Sequence, residues 1–188
     1  MNFPVNFKNV IPIKTYYSVN DELHNANGWN LVNSSYENDN VNWGYNYKHD
    51  ILSFYDASIR IKFLVKRVIH KDITLARIHV NGQTAGQHSS FHVDFDEDYF
   101  WTFVLFTAEY WDTSWGGEFI CKDPFSGEYK YTPYIPNNGV LIPSNWEHVG
   151  CCPNFKTDKL RTSLAFTYID NKYLDYELKK NTIPRLFL

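Results

Sequence analysis

The sequence contains no apolar run approaching the ~18 residues needed to cross a bilayer. Its first residues, Met1 to Lys14, also lack the basic start and unbroken apolar stretch of a secretory signal. The expectation is a soluble, cytoplasmic protein with no membrane partner. Cysteine is scarce: Cys121, Cys151 and Cys152 are odd in number and two are adjacent, which excludes a disulfide framework, and no CxxC zinc pair occurs. Basic blocks are missing too. Lys and Arg total 18 against 21 acidic residues, a net charge of −3, so nothing is suited to track a phosphate backbone and nucleic-acid binding is not indicated. Internal repeats and low-complexity segments are absent, which excludes a solenoid or a disordered linker.

Aromatic residues, by contrast, are abundant. They make up 18% of the chain, with 14 Tyr, 14 Phe and 6 Trp, a bias toward strands. A length of 188 residues suits one domain with a substantial core. Between His49 and His70 the apolar residues Ile51, Phe54, Ala57, Ile61, Leu64, Val65 and Val68 recur at helical steps, which predicts an amphipathic helix. The Asn- and Trp-rich stretch from Asn20 to Asp50 reads as loops and short strands over the core. From Ile73 onward the pattern becomes short β-rich runs: Ile73 to Val80, Ser90 to Asp94, Tyr99 to Thr107, Gly117 to Cys121, Tyr129 to Ile135, Gly139 to Ile142, Glu147 to Gly150 and Arg161 to Tyr168. The expected fold is mainly β, a jelly-roll or double-stranded β-helix with at least one N-terminal supporting α-helix. Residues 1–72 would form the cover and helix, 73–170 the core, and 171–188 a C-terminal tail.

Candidate chemistry begins at His92-Val93-Asp94. Side chains alternate along a strand, so His92 and Asp94 point the same way and can share a metal ion. Alone, such a pair reads first as two surface residues. His148, on a later strand after the turn Pro143-Ser144-Asn145, would supply a third ligand. Two histidines and one carboxylate form the facial triad of non-haem Fe(II) sites, whereas zinc prefers a closed tetrahedron. Arg161 and Ser163 share a face of the last apolar strand and together suit a carboxylate. An arginine facing a barrel interior requires an anionic partner.

These motifs, in this order and with Trp115-Gly116-Gly117-Glu118 and Pro136-Asn137-Asn138-Gly139-Val140-Leu141-Ile142 between them, resemble the catalytic domain of Fe(II)- and 2-oxoglutarate-dependent oxygenases, in particular the prolyl 4-hydroxylase-like branch. The resemblance covers about Ile73 to Tyr168. It implies iron on His92, Asp94 and His148, 2-oxoglutarate held by Arg161 and Ser163, O2 as co-substrate, and ascorbate as a stimulant. It also implies hydroxylation of a peptidyl or small-molecule substrate, with succinate and CO2 as co-products. Two further pocket positions follow from it: His79, or else Gln83, beside the metal-proximal carboxylate, and Phe106 where many relatives carry a tyrosine. Collagen-type prolyl hydroxylases use lysine where this chain has Arg161, and Cys151 to Phe155 lengthen the gap that follows His148. His88 competes with His92 as a ligand but lacks same-face pairing with Asp94. Two alternatives belong to other classes: a non-catalytic jelly-roll binding module working through Trp43, Trp101, Trp111 and Trp146, and a cupin-like metal enzyme that does not use 2-oxoglutarate.

Overall fold

The computed structural model describes residues 2–25, 28–32, 42–45 and 51–183. In chain order the elements are β1 (Val5–Phe7), α1 (Ile13–Asn25), β2 (Trp29–Val32), β3 (Asn42–Tyr45), α2 (Leu52–Ile69), β4 (Ile73–Gln83), β5 (Phe100–Phe106), β6 (Phe119–Lys122), β7 (Tyr129–Thr132), β8 (Gly139–Pro143), β9 (His148–Gly150), β10 (Arg161–Asp170) and α3 (Leu174–Lys180). The strands form a seven-stranded sheet in the order β1-β8-β5-β10-β4-β3-β2 and a three-stranded sheet in the order β7-β6-β9, paired antiparallel throughout. This is the jelly-roll that the sequence predicts.

Both faces of β10 are covered, and all ten of its residues are buried. Leu164, Phe166 and Tyr168 point toward the helices and pack with Phe54, Ala57, Ile61 and Val65 of α2 and Val19 and Leu23 of α1. These α2 residues recur at three- and four-residue steps, so one stripe of the helix seals against the sheet. The helix stops where His70 turns left-handed (φ 55°) and its N–H reaches the carbonyl of Lys66 at 2.9 Å. On the opposite face Ala165 joins Val104, Phe106, Val140 and Ile142 in a second cluster, closed by Trp111, Phe119, Cys121, Tyr134 and Trp146. The alternation along β10 therefore separates a supporting core from a working interior. Truncating Phe166 to Ala is expected to cost about 3–5 kcal/mol by opening a cavity beneath α2. Urea unfolding should show this as a lower midpoint with an unchanged slope.

Two expectations need correction. The predicted strand Ser90 to Asp94 reduces to a single bridge between His92 and His148. The chain leaves the sheet there because the N–H groups of Asp94 and Phe95 both go to the carbonyl of Ser144, at 2.9 and 3.4 Å. Part of the stretch read as loops and short strands, from Asn20 to Asn25, is helical: it completes α1. Its periodicity is hidden by buried Asn20, whose Nδ2 donates to the carbonyl of Tyr16 at 3.0 Å. β2 and β3 are the short strands of that stretch, and residues 26–27, 33–41 and 46–50 lie outside the described residues. The tail expected over 171–188 contains a 3-10 turn and α3, while residues 184–188 lie outside the described residues.

Candidate metal centre and anion pocket

The bridge between His92 and His148 sets the geometry of the first cluster. The N–H of each residue donates to the carbonyl of the other, at 3.0 and 2.9 Å. Directly opposed residues in an antiparallel pair project on the same face, and the two rings lie 4.6 Å apart, centroid to centroid. Asp94 follows two residues later on the same side. One ligand atom from each of His92, Asp94 and His148 lies within 4.8 Å of the others, a spacing that can hold a metal ion.

Hydrogen bonds fix how the histidines present themselves. Nδ1 of His92 lies 3.0 Å from the carbonyl of Ser90, and Nδ1 of His148 lies 2.8 Å from that of Trp146. A carbonyl can only accept, so each Nδ1 carries the proton and each Nε2 keeps a lone pair turned into the site. This is the outer-shell arrangement that metal-binding imidazoles use. The ring of Phe119, centred 5.4 Å away, backs His148.

Both oxygens of Asp94 are engaged. Oδ1 accepts from Nη2 of Arg77 at 2.6 Å, and Oδ2 accepts from Oγ1 of Thr102 at 2.7 Å while lying 3.7 Å from Nε2 of His148. Burial opposes ionisation of this carboxyl, but Arg77, His148 and the Thr102 hydroxyl outweigh it and hold the pKa at about 2. Burial also lowers the pKa of His148, against the pull of Asp94. At neutral pH the cluster thus offers an ionised carboxylate beside a neutral His148 imidazole, the protonation states that a divalent cation needs.

The second cluster surrounds Arg161, 2% exposed at the start of β10. Its Nε donates to the carbonyl of Gly117 at 2.7 Å and its Nη1 to Oε1 of Gln83 at 3.1 Å. The ring of Tyr134 lies 4.8 Å from the guanidinium carbon. Nη2 is buried with no hydrogen-bond partner, and among the described residues no carboxylate forms an ion pair with this guanidinium. A buried cation without a counter-ion is costly, so the pocket is built to receive an anion. Two glycines make room for it. A Cβ on Gly117 or Gly150 would stand 3.2 Å from Arg161 atoms, and Gly117 also needs its positive φ of 84°.

The remaining candidates are placed as follows. Ser163 is buried two residues along the same face of β10 from Arg161, paired in register with Phe106 and Asn81. Phe106 packs 4.9 Å from the Tyr134 ring. The Tyr134 hydroxyl is occupied, accepting from the N–H of Ala108 at 2.9 Å and donating to the carbonyl of Thr162, so it leaves the free nitrogen of Arg161 untouched. His79 sits on the inner face of β4 opposite Ala165. The residue keeps some exposure, but protein packed around it and then the Arg77 charge lower its pKa, against the charge of Asp94 and a hydrogen bond with Asn81. Gln83 stands at the Arg161 end rather than beside the metal ligands, because in-register pairing of β4 with β10 places it opposite Arg161. His88 lies apart from the triad, its Nδ1 3.4 Å from Sγ of Cys152. Sequence reasoning missed Arg77, Thr102, Tyr134 and Gly150. The available signal was, for Thr102, a polar residue at an inward position of an otherwise apolar strand and, for Arg77, a charged residue heading the alternating polar positions Arg77, His79, Asn81 and Gln83.

No family model matches the sequence, and no curated protein matches it. Solved structures do match the fold. A prolyl hydroxylase from Trichoplax adhaerens, in complex with an oxygen degradation domain peptide of hypoxia inducible factor, superposes with a TM-score of 0.74 at 15% identity, covering 94% of this chain and 87% of that one. HygX from Streptomyces hygroscopicus, with nickel and 2-oxoglutarate bound, gives 0.66 at 13% identity over 89% of this chain and 83% of that one. A prolyl-4-hydroxylase from Pseudomonas putida gives 0.64 at 14% identity over 89% and 91%. The chain therefore has the fold of the 2-oxoglutarate- and Fe(II)-dependent oxygenases.

Proposed function

We propose that the chain is an Fe(II)- and 2-oxoglutarate-dependent dioxygenase that hydroxylates a peptidyl or small-molecule substrate. The observation that carries this reading is the pairing of the two clusters in one interior. A His-Asp-His set has both Nδ1 atoms committed to carbonyls, and Arg161 is a buried guanidinium with a spare donor and, among the described residues, no carboxylate ion-paired to it. A binding module accounts for neither feature, and a cupin-like metal enzyme without 2-oxoglutarate leaves Arg161 unexplained. HygX, which shares the fold, binds both nickel and 2-oxoglutarate.

The residues present fit both groups. His92, Asp94 and His148 would hold the metal, the ligand set of two histidines and one carboxylate that suits Fe(II). Arg161, with Ser163 beside it, would hold the far carboxylate of 2-oxoglutarate. When bound, the pair supplies the oxidising chemistry, coupling reduction of O2 to loss of CO2 and formation of succinate. The chain's own contribution is geometry and charge. Ser90 and Trp146 fix the imidazoles, Arg77 and Thr102 fix the carboxylate, and the Tyr134, Trp111 and Phe106 wall keeps water from Arg161. His79, on the inner face of β4, would donate a hydrogen bond to 2-oxoglutarate.

Anaerobic titration of metal-free protein with Fe(II) and 2-oxoglutarate should produce a weak visible charge-transfer band, followed by slow succinate formation on admitting air. Absence of both signals in folded protein ends this reading. Peptidyl proline is the first substrate to test, since two of the matched folds belong to prolyl hydroxylases. A narrower prediction concerns Gly150. The substitution Gly150→Ala pushes a methyl group to 3.2 Å from both terminal nitrogens of Arg161. It should weaken 2-oxoglutarate binding about tenfold, the worth of one charged hydrogen bond, while metal affinity measured by calorimetry stays unchanged.

A further inference from the structure

The oxygenase reading gives Arg77 no role beyond Asp94, yet its placement exceeds what a counter-ion needs. Only Nη2 is used, on Oδ1 of Asp94 at 2.6 Å. Nε is buried without a partner, and the side chain as a whole keeps 34% exposure, so part of it stays accessible to a ligand. The ring of Phe95, 5.1 Å from the guanidinium carbon, lies against it and sets its plane. The hydroxyl of Thr167, opposite Arg77 in register, is likewise buried and unpartnered.

The wall around Arg77 is asymmetric. On β4 the inward residues Arg77, His79, Asn81 and Gln83 form a polar row that Ser163 and Thr167 of β10 extend, whereas Val104 and Phe106 of β5 and Val140 and Ile142 of β8 face the same interior as apolar surface, with Thr102 of β5 already bound to Asp94. Such a surface recognises a ligand with one polar edge, and Arg77 marks the end of that edge nearest the reacting centre.

Charge bookkeeping points the same way. With Fe(II) and 2-oxoglutarate in place, the metal, Arg77 and Arg161 outweigh Asp94 and the dianionic co-substrate by one positive charge. Glu118, the acid whose charge Arg161 feels, is half-exposed beside Gly116, where solvent screens it. A low-dielectric cleft with one surplus positive charge favours an anionic ligand.

We infer that Arg77 forms a subsite for an anionic group, a carboxylate or a phosphate, carried by the primary substrate close to the carbon that reacts. The inference rests on the oxygenase reading and deepens it. The planar fork of Arg77 would orient the anion, with His79 two residues along the same face of β4.

The test uses isotope-labelled protein loaded with Zn(II), a diamagnetic stand-in for iron, and 2-oxoglutarate, with loading verified by calorimetry. Acetate and inorganic phosphate are titrated against acetamide while the Nε–H resonance of Arg77 and the ring resonances of His79 are followed. Saturable shifts are expected with both anions, with a dissociation constant for acetate at least tenfold below that for acetamide and an unmoved Arg161 resonance. In Arg77→Gln the His79 response to acetate should vanish. If that variant misfolds or fails to load, the acid-against-amide comparison in the unaltered protein decides alone. An equal response to acetamide, or none to the anions in loaded protein, overturns the subsite and leaves the oxygenase reading standing. Failure to load 2-oxoglutarate at all overturns both.

Discussion

Arg161→Met is expected to weaken 2-oxoglutarate binding by about two orders of magnitude while leaving metal affinity within a few-fold of the parent. The reasoning starts from what the guanidinium touches. It donates to Gly117 and Gln83 and stacks on Tyr134, but no contact links it to His92, Asp94 or His148. Losing a charge-assisted pair inside a water-excluded pocket costs about 3 kcal/mol, or roughly 150-fold in affinity. Methionine fills similar volume without a charge, so the metal-free protein loses the penalty of burying an unpaired cation even as two acceptors lose their donors. Its thermal midpoint should hold steady or rise. A fall in co-substrate affinity with no fall in stability identifies Arg161 as a binding group rather than a scaffold. Calorimetry on Mn(II)-loaded protein and a melting curve on metal-free protein read the two quantities separately. A large loss of stability with unchanged 2-oxoglutarate affinity would assign Arg161 a purely structural role.

Much of this architecture could be read from alternation alone. In β10 the residues Leu164, Phe166 and Tyr168 face the helices while Arg161, Ser163 and Ala165 face the interior, and the two-residue period states that division in the sequence. The α2 stripe was equally plain. His92, Asp94 and His148 were legible because their residue types and order are distinctive. The local structure that unites the first two was not, since the pull of the Ser144 carbonyl on Asp94 and Phe95 depends on a segment distant in the chain.

Partners across strands were the least legible. Gln83 meets Arg161 only because β4 and β10 pair in register, and Arg77 meets Asp94 only because the bend after His92 brings that carboxylate over the same sheet. Helix α1 was hidden for a different reason. A buried polar residue, Asn20, occupies a core position and satisfies itself on the preceding turn, which interrupts the apolar pattern. In each case the missing information was a tertiary contact, and local propensity could not supply it.

His148→Ala should have the largest effect on the metal. A metal bound through a few protein ligands draws on the order of 3–4 kcal/mol from each, so loss of one is expected to weaken binding several hundredfold or more and to abolish turnover. The pH dependence follows from the same groups. Asp94 is ionised down to about 2, so it does not limit binding under ordinary conditions. His148 does, because a proton on its Nε2 blocks the lone pair, and affinity should fall as pH drops below the range in which His148 is neutral. Burial lowers the pKa of His148 in the folded chain below the ordinary value of 6.5. Between those two values the unfolded chain binds more protons, so stability rises with pH there and is lost on acidification through that window. Asp94 adds a second window: its contribution is complete above the unfolded value of 3.8 and disappears as pH falls through about 2. In His148→Ala the first loss should shrink while the second persists, apart from the portion of the Asp94 shift that His148 itself supplies. Chemical denaturation of metal-free protein across pH 2 to 8 separates the two. An unchanged acid limb in the variant would mean that His148 is not the buried neutral imidazole on which the metal site depends.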